Sequence, residues 1–230
     1  MNYIFEAIKG AFKLIAALDP ELLSIIAVSI KVSFTSTVLA TAVGVPLGFS
    51  IAIKNFWGKA GVIVVLNTLL ALPTVVVGLL VYAFLSRRGP FGTLALLYTP
   101  GAMIIGQFIL VLPIITALTV SAIQGMDKRI ERTAQTLGAN SMQTAGVVLS
   151  ERKFAIFSAV VAGFGRVFAE VGVSMMLGGN IKGFTRNITT AIALETGKGE
   201  FSLGLALGII LLAIAFCINV LANHFQNREV

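Results

Sequence analysis

The sequence predicts an all-α membrane protein, with five transmembrane helices and an N-terminal amphipathic helix. Hydrophobic residues make up 57% of the 230 residues and charged residues 12%, about half the charged share of a soluble domain. In addition, five apolar stretches are each long enough to cross the ~30 Å hydrocarbon core of a bilayer. This composition excludes an ordinary soluble enzyme, a disordered chain and a disulfide-stapled secreted module.

The first 18 residues predict an amphipathic helix lying in the plane of the membrane interface. Their apolar stretch is too short to cross the bilayer, and the Asp19-Pro20 pair ends the helix. We expect residues 1–20 to form this interfacial helix, and an irregular sixth span is the alternative. Its apolar residues recur in steps of three or four, and they are Ile4, Ile8, Phe12, Ile15 and Leu18.

The five spans follow from length, because about 20 helical residues cross the hydrocarbon core. Pro46, Pro73 and Pro113 lie inside the first three spans, where proline removes a backbone donor and bends a helix. Gating helices and static kinks both fit that pattern. Gly204 and Gly208 in the last span predict a close-packed helix face. The expected spans are residues 32–53, 61–85, 103–123, 154–177 and 201–221.

The basic residues indicate an orientation in the membrane. The net charge is +7, but no Lys/Arg stripe follows a polar face, so we expect lipid contacts and no nucleic acid partner. Placing loop 125–153 in the cytoplasm puts slightly more basic residues inside. That choice leaves the N-terminus outside and a C-terminal tail, residues 224–230, inside.

Loop 125–153 is too long and too regular for a simple connection. Residues 131–138 predict a short helix that Gly138 ends in the left-handed conformation. Small residues at its tip would allow close approach to another protein. A surface helix that only tethers two spans is the alternative.

Residues 131–139, ERTAQTLGA, resemble the EAA loop of ABC-importer permeases, with Gly138 at the glycine of the motif. Arg132 and Thr133 stand at its first two positions and Ala134 at the third. The similarity extends over residues 22–223. It includes the segment VGVPLGFSIA in the first span. Segments 86–92, 97–100 and 178–201 are most similar to the tungstate permeases of the molybdate, tungstate and sulfate branch.

The resemblance implies a type I ABC importer permease fold over residues 22–223, in a prokaryotic inner membrane. It implies a homodimer that carries tungstate by alternating access, with an extracytoplasmic tungstate-binding protein as a partner. It also implies two ATP-binding subunits, which hold ATP and Mg. The residues implied to couple the permease to those subunits are Glu131, Thr133, Ala134, Leu137, Gly138 and Ala139.

The sequence contains no motif by which this chain itself would hydrolyse ATP. It contains no GxxxxGK[ST] phosphate-binding loop and no His/Cys/carboxylate cluster with metal-ligand spacing. We therefore expect no catalytic residue, bound cofactor or metal in this chain, and ATP hydrolysis in a partner.

Arg166 and Glu170 are a charge pair deep in the fourth span, four residues apart on one helix face. Ionisable residues inside a membrane are candidates for function because their burial is costly. Mutual neutralisation that fixes the packing of this span is the interpretation we favour, with a role in transport as the alternative.

Neutral polar or small residues suit the passage of a dianion, which must leave as readily as it enters. The candidates for a pathway or gate are Gln107, Pro113, Thr116, Gly178, Gly179 and Asn180. In the outer loops, basic residues would dock the binding protein or steer the anion, and a solvated rim facing lipid phosphates is the alternative. These basic residues are Arg87, Arg88, Lys182 and Arg186.

Two other classes of function are alternatives to an ABC-importer permease. A stand-alone secondary transporter or channel would show inverted repeats, several intramembrane acids or a filter sequence. A membrane-embedded enzyme would need His, Asp or Glu side chains converging at membrane depth. The sequence shows none of these signals, and within the permease class molybdate and sulfate are the alternatives to tungstate.

Overall fold

The computed structural model describes residues 2–226, which form eleven α-helices and no strand. Residues 227–230 of the expected tail lie outside the described residues. A short 3-10 helix, Gly92–Leu94, connects α4 to α5. The helices are α1 Asn2–Ala16, α2 Pro20–Ile53, α3 Lys59–Leu69, α4 Thr74–Leu85, α5 Pro100–Gln124, α6 Lys128–Thr136, α7 Ser141–Glu151, α8 Lys153–Phe168, α9 Gly172–Gly178, α10 Ile188–Lys198 and α11 Phe201–Gln226.

Three of the described helices, α2, α5 and α11, are long and apolar enough to cross a membrane. Five spans result if α3–α4 and α8–α9 are each counted as one bent span, with bends of 96° and 59°. The structure thus divides the expected spans 61–85 and 154–177 into two helices each. Pro73 stands at the first of these breaks, where it precedes α4 as the N-cap residue.

Helix α1 packs against α11 through its alanine face. Ala7 and Ala11 are buried, and a Cβ added to Gly10 would lie 2.8 Å from Ser202 Oγ. Leu14 and Ile15 pack against the same core, whereas Phe5, Ile8 and Phe12 are exposed. This helix therefore presents one face to the bundle and an apolar face outward, the arrangement that an interfacial helix needs.

Helix α2 begins at Pro20, twelve residues before the expected start of the first span at residue 32. Asp19 caps it, because its carboxylate accepts hydrogen bonds from Glu21 N at 2.9 Å and Leu22 N at 3.2 Å. Proline at the first helical position needs no backbone donor. The 34 residues of α2 extend over about 51 Å, so this helix is longer than the hydrocarbon core is thick.

Helix α2 packs closely on α5 through two of its glycines. A Cβ on Gly48 would lie 2.7 Å from Thr116 O, and one on Gly44 would lie 3.1 Å from Thr116 Oγ1. In the expected close-packed pair of α11, a Cβ on Gly204 would lie 3.3 Å from Thr196 Oγ1, whereas one on Gly208 would meet no atom outside its own helix backbone within 4 Å. The same Gly-x-x-x-Gly spacing in α2, which the sequence analysis did not single out, lets two backbones approach closely.

Candidate functional site: a helical hairpin and a membrane-depth cluster

Helices α6 and α7 form a hairpin at the end of the bundle where α2 and α5 terminate. Asp127 caps α6 by accepting from Arg129 N at 2.9 Å. Gly138 adopts a φ of +86°, which favours glycine and reverses the chain after α6. Asn140 and Gln143 then form a capping box with two 2.8 Å hydrogen bonds that start α7. The turn between the helices is thus specified residue by residue.

The residues predicted to couple occupy different faces of this hairpin. Ala134 is 8% exposed and packs inside it, whereas Leu137 is 83% exposed at the tip. Met142, which the sequence analysis did not single out, is 85% exposed on the other side of the turn. Of the remaining predicted residues, Thr133 and Gly138 are exposed, and Glu131 and Ala139 are half-buried.

The base of the hairpin is tied to the spans. Arg152 Nη2 donates to Gly125 O at 3.0 Å, which links the end of α7 to the end of α5. Lys59 Nζ donates to Ala52 O at 2.6 Å and so caps the end of α2. A cavity of about 500 Å³ separates these helix ends from α6, and its polar lining includes Lys59, Glu131, Arg132 and Gln135.

A buried amide joins four helices at membrane depth. Gln107 of α5 is 0% exposed, and its Oε1 accepts a 3.0 Å hydrogen bond from Ser36 Oγ in α2. Its Nε2 donates to Val167 O at 3.3 Å and to Ser174 Oγ at 3.4 Å, in α8 and α9. This predicted pathway residue therefore holds helices together in the single chain.

The predicted Arg166–Glu170 pair is formed, with 2.9 Å between Arg166 Nη1 and Glu170 Oε2. Helix α8 ends at Phe168, so Glu170 lies in the break and not on a continuous helix. Its Oε1 accepts from Val173 N at 3.2 Å, and its carbonyl accepts from Thr189 Oγ1 at 2.7 Å. The glutamate thus joins α8, α9 and α10.

The breaks in the two bent spans lie against each other. A Cβ added to Gly172, the first residue of α9, would lie 3.1 Å from Thr74 Oγ1 and 3.3 Å from Glu170 Oε1. Thr74 is the first residue of α4. Sequence reasoning missed this contact, although Pro73 marked one break and Gly172 the other.

The remaining predicted pathway residues are mostly buried in the single chain. Pro113 lies buried inside α5, and Thr116 Oγ1 donates to Leu112 O at 2.7 Å. Gly178, Gly179 and Asn180 build the turn after α9. The turn is tight: Gly179 and Asn180 have positive φ values, and Asn180 Nδ2 donates to Thr190 O at 3.3 Å.

The four predicted docking residues divide into two pairs. Lys182 and Arg186 both bind Glu21, at 2.6 Å and 3.2 Å, and Arg186 also lies 3.6 Å from Glu195. Internal carboxylates therefore neutralise them. The other pair, Arg87 and Arg88, is exposed beside a cavity of about 530 Å³.

Two tyrosines line the same cavity. The rings of Tyr82 and Tyr98 meet edge to face at 6.4 Å, and their hydroxyls are 3.3 Å apart. This hydrogen bond raises the pKa of the Tyr98 phenol above its usual range. The cavity thus combines two exposed arginine side chains with two tyrosine hydroxyls.

These features define an integral membrane protein, made of apolar helices with a structured hairpin at one end. The family of binding-protein-dependent transport system inner membrane components matches residues 44–229. The tungstate uptake system permease protein TupB of Peptoclostridium acidaminophilum is 44% identical over 228 residues, which is 99% of this chain and 100% of TupB. TupB of Campylobacter jejuni is 43% identical, with 98% of this chain and 95% of that protein covered.

The fold has a counterpart among solved structures. A chain of a bacterial alginate ABC transporter, solved with a periplasmic protein bound to an alginate pentasaccharide, superposes with a TM-score of 0.73 at 18% identity. The match covers 99% of this chain and 88% of that one. The chain therefore belongs to the family of ABC-importer permeases, the inner membrane components of binding-protein-dependent transport systems.

Proposed function

We propose that this chain is the permease subunit of an ABC importer for tungstate. The observation that carries the proposal is the 44% identity to a tungstate permease along 99% of the chain. Molybdate and sulfate, whose permeases form the same branch, are the competing substrates.

The proposed division of labour leaves ATP hydrolysis to partners. Two ATP-binding subunits bind ATP and Mg, two copies of this chain form the membrane channel, and an extracytoplasmic protein delivers the anion. The missing phosphate-binding loop in the sequence supports an energy source outside this chain. The exposed Arg87 and Arg88 are the proposed contacts of the binding protein, because Lys182 and Arg186 already bind internal carboxylates.

The proposed coupling element is the tip of the α6–α7 hairpin. Leu137 and Met142 are apolar side chains, each more than four-fifths exposed in the single chain, which suits insertion into a groove of a partner. The Arg152–Gly125 hydrogen bond supports transmission of a push on the hairpin to α5. The buried pathway candidates, such as Gln107, would meet the anion only after the helices rearrange.

The proposed domain organisation follows the same division. Residues 1–20 act as an interfacial helix on the outer side, and 22–223 form the permease domain with its coupling loop at 125–153. The exposed apolar side chains of α1 support its contact with lipid.

Uptake by cells tests the substrate. Cells that lack this chain should lose tungstate uptake, and the chain should restore it. An excess of unlabelled tungstate should block the restored uptake more strongly than equal molybdate or sulfate. Loss of molybdate uptake alone would contradict the tungstate assignment.

A charge at the tip tests the coupling role. We expect Leu137→Asp to abolish stimulation of the partner's ATPase and tungstate uptake while leaving the chain folded, because Leu137 is exposed. Ser150→Asp, on an exposed position of α7, is the matched control and should leave both activities intact. Full activity of Leu137→Asp would place the docking contact elsewhere.

A further inference from the structure

Arg166 lies well inside the membrane. It follows Lys153, the first residue of α8, by 13 positions, which places it about 20 Å along the helix from that end. The break and helix α9 still separate it from the opposite end of the span. The guanidinium is therefore within the depth of the ~30 Å hydrocarbon core.

The two members of the charge pair are unequally exposed. The side chain of Glu170 is 3% exposed, whereas that of Arg166 is 44% exposed in the single chain. Arginine at the centre of a bilayer is costly when it faces lipid. Because a half-exposed guanidinium would bear such a cost against lipid, its open face is expected to meet a polar phase.

The pair leaves most of the guanidinium donors available. Among the described residues only Nη1 makes a hydrogen bond, to Glu170 Oε2. The carboxylate is held on its other side by Val173 N. An arginine has five N–H donors in a planar fork that matches the oxygens of a tetrahedral oxyanion. Glu170 thus anchors one edge of the fork and leaves the rest open.

We propose that Arg166 is an intramembrane contact for the transported oxyanion, with Glu170 as its positioning residue. The proposal rests on the proposed function as an oxyanion importer and gives it a defined site. The anion binds through the guanidinium donors that Glu170 leaves unused.

The carboxylate also keeps this contact weak. The Arg166–Glu170 pair is neutral overall, so an anion gains hydrogen bonds without meeting a full positive charge. Conduction requires a site that is favourable enough to enter and weak enough to leave. An unpaired arginine would hold a dianion too firmly to pass it on.

The surroundings of Arg166 leave room for an ion. Ala162 and Ala169 are exposed on the same side of the helix. An added Cβ on Gly165 would meet no other residue within 4 Å. The same face of α8 lines a cavity of about 260 Å³ shared with α11, where Leu211, Leu212 and Ile218 form an apolar wall.

Transport by the complete complex in liposomes tests the proposal. The double variant Arg166→Gln/Glu170→Gln avoids a lone buried charge, which would destabilise the fold. We expect at least about a tenfold fall in tungstate moved per ATP hydrolysed, the loss equivalent to one charge-assisted hydrogen bond. Stimulation of the ATPase by the loaded binding protein should persist. Arg166→Lys should restore transport in part, because it keeps the charge but loses the fork.

The outcomes separate this proposal from the proposed function. If the wild-type complex transports tungstate and the double variant transports it equally well, the proposed role of Arg166 is refuted. A parallel loss of ATPase stimulation and transport would make the pair purely structural and would also refute it. Failure of the wild-type complex itself to move tungstate with ATP would instead refute the proposed function.

Thiol labelling provides a second measurement that does not depend on removing the pair. In a Cys217→Ser chain within the complex, we expect Ala162→Cys to react with an anionic, water-soluble thiosulfonate. Phe34→Cys, at an apolar position of α2 that is 60% exposed and remote from this face, is the lipid-facing control and should not react. Absence of labelling at Ala162→Cys would show that this face meets lipid and would overturn the proposal.

Discussion

Single residues determine the local geometry of the hairpin and of the membrane interior. Gly138 carries the left-handed turn between α6 and α7. Gln107 satisfies polar groups from three neighbouring helices with one side chain. The sequence pointed to both positions, because a glycine ending a short helix and an amide inside an apolar span are each unusual. What Gln107 contacts could not be read from the sequence, since its partners lie 60 or more positions away.

The left-handed turn predicts opposite effects of two alanine substitutions. Gly138→Ala should destabilise the hairpin by about 1–2 kcal/mol, because a Cβ disfavours positive φ. Gly146→Ala, at an exposed position inside α7, should stabilise it by about 0.5–1 kcal/mol, because glycine weakens a helix. Thermal unfolding of the purified complex measures both. Equal effects of the two substitutions would contradict the turn geometry.

The buried amide predicts a loss of stability on removal. Gln107→Leu leaves the Ser36 and Ser174 hydroxyls without this partner and should cost about 1–2 kcal/mol. Gln124→Leu, at the exposed end of the same helix, is the control and should cost much less. Unfolding in mixed detergent micelles gives the two free energies of unfolding. A control as destabilised as Gln107→Leu would argue against the network.

At the scale of the helices, apolar length located the spans, but their ends and continuity depend on other interactions. The first helix begins at Pro20 because Asp19 caps it, whereas the expected start at residue 32 followed apolar composition alone. The breaks before Thr74 and Gly172 lie within apolar sequence, so counting hydrophobic residues passes over them. Their contact is tertiary and could not be inferred from either segment by itself.

That contact predicts the effect of adding bulk at the break. Gly172→Val should push α4 away from α9, because even a Cβ lies 3.1 Å from Thr74 Oγ1. We expect a destabilisation of about 1–3 kcal/mol and reduced transport. Gly208→Val in α11, where an added Cβ meets no other residue within 4 Å, is the matched control. Wild-type stability of Gly172→Val would show that the two breaks do not pack as described.

At the scale of the whole molecule, the sequence predicted the helical membrane class, and the family match confirms the resemblance to ABC-importer permeases. Composition and motif spacing suffice for this, since both are local properties. The ion pairs that neutralise Lys182 and Arg186 were not predicted, because Glu21 is about 160 residues away in sequence. The assignment of Lys182 and Arg186 to docking stays a prediction.

The arrangement of the helix ends predicts the sidedness of labelling. In a Cys217→Ser chain, Ser150→Cys in α7, away from the proposed docking tip, should react with a membrane-impermeant maleimide only after cells are permeabilised. Arg88→Cys, in the opposite set of loops, should react in intact cells. Both positions are exposed, so accessibility across the membrane alone decides the result. The reverse pattern would invert the orientation favoured by the positive-inside rule.

The packing of α1 on α11 bears on how the chain is made. Ser202, which packs against Gly10 of α1, is synthesised about 190 residues after that glycine. The delay is about 10–40 s at usual rates of synthesis. During that time the helix against which the alanine face of α1 packs has not yet been synthesised. Completion of the fold therefore awaits the last helix, and a nascent chain halted before α11 would expose this face to the membrane insertion and quality-control machinery.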